Sequence, residues 1–486
     1  MTSTHRRLPG ARTGARARYI GVVMVGAISL ASCRDLDVPN VNAPTQDALT
    51  AAPTRAVLAR AATGVQIQAF NDLATELEFY SIYGREGYNL LGNDPRETGE
   101  QIRGPQDAGG RSGGSWLGKY QAIRTINTYL DALTNSTGLT TAEVRASQGF
   151  AKTYKAYHLF RLAVRSGATG IPIDVNRGIA DDPAPFVSFA AAMAEASRLM
   201  DEAAADLQAG GAAFPFFFVP GYTGFTTPAT FLQFNRGLAA DILVHRATFN
   251  NCTACWAQAA TAIGQSFITT AGLPGSLANG VYFGYTGAAG ELSNPVTGSL
   301  SSNTYWIHPS IVAGAQTRTD GTPDLRLSTK VLAAGRSLTL NGITATHKPV
   351  MYNLPANRAL ANTDADIPWL TNEELILLRA EIRWNTGNKL GAIDDINLVR
   401  QHAGGLPPST LTVASSDAEF VTELLYNRLY SLLWQQGTRW IDARRYGRTA
   451  TLPIDRAGDV VHPQMLVPAA ECDARGLSVP CSPLAP

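Results

Sequence analysis

The 486-residue chain is long enough for one large core or several small ones, and at 45% hydrophobic and 16% charged residues it has the composition of an ordinary globule. Its 40 Lys and Arg stand against 39 Asp and Glu, a formal net charge of +1. No long run of one sign occurs, which argues against a nucleic-acid partner, since such binders concentrate positive charge.

At the N-terminus Arg6, Arg7, Arg12, Arg16 and Arg18, with no acid among them, precede an apolar stretch from Tyr19 to Leu30, the order of a bacterial export signal. The stretch is shorter than the roughly 20 apolar residues that a membrane helix needs. It ends in Leu30-Ala31-Ser32-Cys33, a run that resembles a lipobox. That resemblance implies a signal peptide over residues 1–32, cleavage before Cys33 and acylation of Cys33; several acyl chains anchor stably where a single one does not. A secretory signal with an incidental cysteine is the competing reading. Arg34, not Asp, follows the cysteine, which by resemblance to bacterial sorting rules favours the outer membrane. Loss of the five signal arginines leaves an excess of four acids, and no later apolar stretch reaches spanning length. The body is therefore expected outside the bilayer, attached through lipid alone.

Helical periodicity dominates the body. Apolar residues recur at helical spacing over about residues 53–83, 115–133, 142–166, 187–208 and 229–249, several of them alanine-rich, where small side chains let helices approach closely. The two cysteine pairs, Cys252 with Cys255 and Cys472 with Cys481, suit disulfides in an oxidising compartment. For Cys252-Thr253-Ala254-Cys255 a redox pair or half a zinc site are rival readings, but no strand-helix-strand pattern surrounds it and no second C-x-x-C completes four ligands. From about Leu273 to Asn362 the chain is rich in Gly, Ser, Thr and Asn, with short strand-like pieces at Val281-Tyr282-Phe283 and Val350-Met351-Tyr352. So long a stretch is expected to be functional or a small irregular subdomain. Residues 85–114 and 214–227 have the same character.

Helices resume at Thr371. Thr371-Asn372-Glu373-Glu374 has the form of a capping box, Leu375, Leu378 and Ile382 share a face, and Gly387 suits a left-handed cap. A second stretch carries Leu390, Ile393, Ile396 or Asn397, and Val399 up to Gly404-Gly405. A third opens on Ser416-Asp417-Ala418-Glu419, another capping box, and runs through Phe420, Leu424, Leu429 and Leu432 toward Trp440. The fold expected is mostly α, with tetratricopeptide-like stacked helix pairs and a loop-rich irregular subdomain, although no strict period of roughly 34 residues can be traced.

Several of these residues carry a family resemblance. Residues 372–381 (Asn-Glu-Glu-Leu-Ile-Leu-Leu-Arg-Ala-Glu), then 392–400 and His402-Ala403-Gly404, resemble the C-terminal signature of SusD/RagB proteins. Arg428, Gly437, Arg439-Trp440, Asp442 and Arg444-Arg445 continue it, with Asn427, Ser431 and Gln436 where the family usually has glutamates. Asn127 in the Tyr120–Asn127 run matches the family's N-terminal helix, and Leu466-Val467-Pro468 with Glu471 its terminal segment. The resemblance implies one ectodomain over residues 33–486, with an N-terminal helical part at about 45–270, a loop-rich insertion at about 273–362 and a C-terminal helical part at about 365–486. It further implies a surface-exposed outer-membrane lipoprotein that binds oligosaccharides, or in some members peptides, and lies as a lid over a TonB-dependent, SusC-like transporter. Arg379, Glu381, Arg439, Asp442 and Arg444 are expected in ion pairs that fix helix packing, and Trp384, Trp434 and Trp440 in the core.

Sugar rings stack their C–H faces on aromatic rings while their hydroxyls seek amides and guanidinium groups. Two loop clusters offer that mixture: Tyr83, Arg85, Tyr88, Asn89 and Asn93 with Trp116 nearby, and Asn303, Tyr305, Trp306 and His308. For each cluster, packing of the loop against the scaffold competes with ligand contact. Phe214-Pro215-Phe216-Phe217-Phe218-Val219-Pro220 reads as a buried loop anchor or a transporter contact. Neither catalysis nor a cofactor is expected, since no H-E-x-x-H, G-x-S-x-G, P-loop or dinucleotide fingerprint occurs and the seven histidines are scattered. A helical glycoside hydrolase remains the alternative, because two carboxylates about 5–10 Å apart would suffice.

Overall fold

The computed structural model describes Leu49, residues 51–178 and residues 180–484. The signal peptide and Cys33 lie outside the described residues. The chain is mostly α, and its helices pack each against the next. Helix α1 (Arg55–Gln68) lies against α3 (Leu117–Thr134), which is followed by α4 (Thr141–Ser166), α5 (Phe189–Gln208), α6 (Pro228–Phe249) and α7 (Thr253–Gly264). Small residues at the contacts, among them Ala146, Ala151, Ala192, Ala196, Ala203 and Ala240, are buried, which is how successive helices come close. Thr140 and Glu143 close a capping box on α4, so the first free amides are satisfied where this long helix begins.

The expected helix over 53–83 is two helices. Helix α1 ends at Gln68, and Asp72, in the left-handed region at φ 61, is the residue from which α2 (Leu73–Tyr83) starts. Helix α7 carries the C-x-x-C pair at its start, and the structure joins Cys252 to Cys255 and Cys472 to Cys481.

In the C-terminal part, α10 (Asn372–Asn385), α11 (Lys389–His402) and α12 (Asp417–Ser431) enclose a second core of Ile376, Leu377, Trp384, Ile396, Phe420 and Leu424. Gly387 adopts the expected left-handed conformation (φ 89), and Ser416 and Glu419 cap each other's amides. Thr371 makes no side-chain cap bond, contrary to the sequence reading, because it ends strand β10 (Ile367–Thr371), which pairs antiparallel with β4 (Gly280–Phe283). Asn372 ties down the helix start instead: its Oδ1 accepts the Thr269 amide at 2.8 Å, and its Nδ2 donates to the carbonyls of Thr269 and Ser276 at 2.8 and 3.1 Å.

The helix expected to run to Trp440 breaks after Ser431 and resumes as α13 (Thr438–Arg445). Trp434, Gln436 and Gly437 all have positive φ across the break. At Gly437 a Cβ would fall 1.9 Å from that of Tyr80, so only glycine permits this crossing. Buried Glu86 holds the break open by accepting the amides of Trp434 and Arg439 at 2.7 and 3.2 Å.

The loop-rich stretch 273–362 contains short helices α8 (Pro309–Ala313) and α9 (Leu325–Lys330), strand β5 (Trp306–Ile307), the long hairpin β6 (Val331–Leu340) with β7 (Ile343–Pro349), and the small hairpin β8 (Asn353–Leu354) with β9 (Asn357–Ala361). Val281-Tyr282-Phe283 lies in β4 as expected, whereas Val350-Met351-Tyr352 forms the turn after β7. Trp384, Trp434 and Trp440 are buried. Among the described residues no helix is long and apolar enough to cross a membrane.

Candidate functional site

The two loop clusters singled out in the sequence meet in space. Strand β1 (Gly87–Tyr88), directly after α2, pairs antiparallel with β5, Gly87 opposite Ile307 and Tyr88 opposite Trp306. Gly87 makes the approach possible: a Cβ there would sit 2.2 Å from the Trp306 carbonyl oxygen and 2.9 Å from the Trp434 ring. Beneath the pair lies a small core of Ile82, Tyr88, Leu90, Ile102, Trp306, Ile343 and Ala345, so the hairpin β6–β7 is fastened to the same junction.

Most of the residues proposed as ligand contacts are buried here, where they pack the loops against the scaffold. Tyr83 packs edge-on against Trp440 and His462, and its hydroxyl accepts from Gln106 Nε2 at 3.2 Å. Arg85 is fully buried and spends its guanidinium on the carbonyls of Ile82, Ile102, Pro453 and Val460, which staples residues 453–460 to the end of α2. The Tyr88 hydroxyl donates to Asp455 Oδ1 at 2.5 Å, and His308 Nε2 meets the same oxygen at 3.1 Å. Burial pushes His308 below the ordinary imidazole range, Asp455 notwithstanding. Trp116 joins no part of this junction: it stacks on Phe186 in the main helical core with the Arg165 guanidinium 5.2 Å from its ring centroid. For the rings the physical reason is shared. A large ring is stabilised more by leaving water than by display on a loop, and a stretch as long as 273–362 needs its own core to be ordered.

Toward the surface the junction is polar. Asn89 Nδ2 donates to Glu78 at 3.2 Å and to Glu97 at 2.9 Å. Arg111, absent from the sequence reading, bridges Glu78, Asp94 and Glu97 at 3.0, 3.0 and 2.9 Å. Burial raises Glu97 to about 7, whereas the hydrogen bond from Arg96 holds Asp94 well below the usual carboxylate range. Half-buried Tyr305 rests edge-on against Trp434 and aims its hydroxyl at Glu78 Oε2, 3.5 Å away. Exposed Asn303 accepts from Arg336 at 2.9 Å. Trp306 is fully buried, its indole N–H donating to the Asn303 carbonyl at 3.0 Å, with Arg336 and Lys348 4.9 and 4.7 Å from its ring centroid. Its faces hold cations rather than a sugar. The Pro-Arg-Glu run after Asp94 and the basic positions 336 and 348 were the available signals for what the sequence reading missed; none is aromatic, so a search led by aromatic rings passes over them.

Elsewhere, a hollow of about 400 Å³ opens beside α12 between Leu411, Thr422, Glu423 and Arg448, and another of about 210 Å³ lies by Tyr120, Arg177, Glu471 and Arg475. None of the residues that the sequence reading proposed as ligand contacts lines either hollow. In the 214–220 loop Phe214 and Phe216 are buried as an anchor, while Phe217 is 94% exposed.

The sequence matches no family model and no curated protein. Solved structures do match. NanU of B. fragilis superposes with a TM-score of 0.63 at 14% identity over 89% of this chain and 97% of its own. A SusD superfamily protein from Bacteroides vulgatus gives 0.63 at 14% identity over 87% and 98%. The chain has the SusD fold. A laminarin-binding SusD-like protein gives 0.59 at 14% identity over 86% and 98%, so the likeness spans nearly the whole of each relative. On this SusD-like fold the residues that carry the sequence resemblance act as packing elements. Arg379 pairs with Asp395 at 2.7 Å, Arg445 with Glu381, and Asp442 joins Arg428 and Arg445 at 2.7 and 2.8 Å. Arg439 and Arg444 differ from the expected pattern of ion pairs: they donate to the carbonyls of Arg85 and Val164, and Arg444 lies 4.2 Å over Trp440.

Proposed function

We propose that the protein is a non-enzymatic, carbohydrate-binding lipoprotein of the outer membrane, lipid-anchored at Cys33 and facing the cell exterior, that passes oligosaccharides to a TonB-dependent, SusC-like transporter. The observation that carries this reading is the junction of β1 and β5, where a SusD-like scaffold brings the two aromatic and amide-rich loops into one polar surface. Tyr305 and Asn303 are its ligand-facing groups, and buried Tyr83, Arg85, Tyr88, Asn89 and Trp306 act from beneath by fixing them. A laminarin-binding protein of the same fold supports a glycan as the cargo. Binding is favoured over hydrolysis because Glu78, Asp94 and Glu97 all converge on Arg111, an arrangement that engages these carboxylates in pairing. A peptide cargo is the second reading, suggested by the family resemblance alone.

Incubation of the purified protein with a panel of oligosaccharides tests the proposal. Retention without cleavage is the expected result, cleavage would reveal an enzyme, and neither would favour a protein-assembly scaffold. Gentle extraction and crosslinking from cells grown on the inducing nutrient should recover a barrel-sized partner; a lone protein would count against delivery.

A further inference from the structure

The hairpin β6–β7 brings two cations to the junction. Arg336 on β6 donates through Nη2 to the carbonyls of Ser301 and Ser302 and to Asn303 Oδ1, at 3.0, 2.9 and 2.9 Å. Lys348 on β7, 1% exposed, donates to the carbonyls of Ser302 and Thr304 at 3.0 and 3.3 Å. The two cationic groups thus share one acceptor, the Ser302 oxygen, and one indole, that of Trp306. Among the described residues neither has a carboxylate within 4.0 Å. Every acceptor they use is a neutral dipole. Like charges held this close repel, and a buried ammonium without a counter-charge is costly; burial, and then Arg336, lower Lys348 to about 7. An arrangement that pays this cost without an internal acid is suited to an anion supplied from outside. Arg336 is exposed and directs all three of its hydrogen bonds through Nη2, so its Nε and Nη1 donors have no partner among the described residues and can meet a carboxylate or sulfate. Asn303 and Tyr305, the surface groups of the junction, lie on the same loop.

We infer that the glycan bound at the β1–β5 junction is acidic, and that the carboxylate or sulfate of one of its sugars docks on Arg336, the anion drawing buried Lys348 into its protonated form as a second positive charge. This rests on the glycan-binding reading above. Arg336 and Lys348 are then specificity-determining residues, and Trp306 is the platform that holds them rather than a stacking surface for the sugar.

The test is binding of the purified protein to immobilised glycans in three sets (neutral, uronate-bearing and sulfated), with poly-glutamate as a fourth, in 50 and 500 mM salt. Wild type, Arg336→Gln and Lys348→Met are compared, with melting temperatures for each. Retention is expected on one of the two acidic glycan sets, and which set it is identifies the anion. It should weaken about tenfold in Arg336→Gln, whose melting temperature stays near wild type, and weaken again at high salt. Lys348→Met should reduce retention less; should that variant melt early, Arg336→Gln alone decides. Retention confined to neutral glycans, or unchanged in Arg336→Gln, overturns the inference and leaves glycan binding standing. Retention on no glycan overturns both, and retention on poly-glutamate alone assigns the site to an acidic peptide and overturns the glycan.

Discussion

Trp306 and Tyr305 are adjacent in sequence and opposite in role. Trp306 is fully buried beneath two cations, so Trp306→Ala should cost about 3–5 kcal/mol of stability and melt several degrees early. Any loss of glycan retention in that variant would follow from the collapse of β5. Tyr305 keeps part of its ring at the surface; Tyr305→Ala should weaken retention about fivefold, the worth of one stacked ring, and leave the melt near wild type. Thermal melts and affinity electrophoresis on the same two variants decide, and a normal melt for Trp306→Ala would return that ring to the binding surface. Sequence reasoning brought both residues into view because aromatic rings among amides on loops stand out. It could not separate them, since adjacent residues of a two-residue strand and its flank differ in burial only through what the rest of the chain lays over them, here β7 and Arg336.

Elements were most legible where a local rule decides them. Helices α3 to α6, the cap at Ser416 and the turn at Gly387 follow from periodicity and end chemistry alone. The break between α12 and α13 does not: Leu429 and Leu432 keep helical spacing through it, and what stops the helix is distant, the Glu86 carboxylate taking two amides and the Tyr80 side chain against Gly437. Long-range polar partners also shape the space between α4, α6, α10 and α12. There a cavity of about 20 Å³ is lined by Arg161, Asp241, His245, Glu374, Arg428 and Gln436, room for a water molecule. Arg428 Nη1 has no hydrogen-bond partner there among the described residues, whereas Asp241 Oδ1 faces His245 Nδ1 at 3.1 Å and Arg161 Nε faces Glu76 Oε2 at 3.5 Å. Burial, and then repulsion from Asp241, raise Glu374 to about 8. A carboxyl raised in the folded state holds its proton where the unfolded chain has lost it, so its stabilising contribution is complete below the ordinary value of 4.5 and disappears as pH rises through about 8. Glu374→Gln, which keeps the neutral shape, should match wild type in melting at pH 5 and exceed it by about 2–4 °C at pH 9. Parallel pH profiles for the two proteins would mean that Glu374 is ionised when folded.

At the scale of the whole molecule, the proposed membrane anchor draws on the N-terminal segment and on the folded body together. It rests on Leu30-Ala31-Ser32-Cys33 following an apolar stretch too short to span a bilayer, residues that lie outside the described ones, and on a body in which no described helix is long and apolar enough to cross a membrane. If Cys33 carries acyl chains, they supply the attachment, because each buried methylene contributes about 0.8 kcal/mol and two or more chains hold where one lets go. Cys33→Ala should then abolish incorporation of labelled fatty acid and move the protein from the outer-membrane fraction to the soluble fraction. The folded body should be unaffected, since its four other cysteines are paired with one another, and an unchanged melt would verify this. A secretory signal with an incidental cysteine predicts the opposite pattern, with no label in wild type and the same fractionation for both proteins. Retention of the unlabelled variant in the membrane would point instead to a surface of the body as the attachment, with exposed Phe217 as the first residue to truncate.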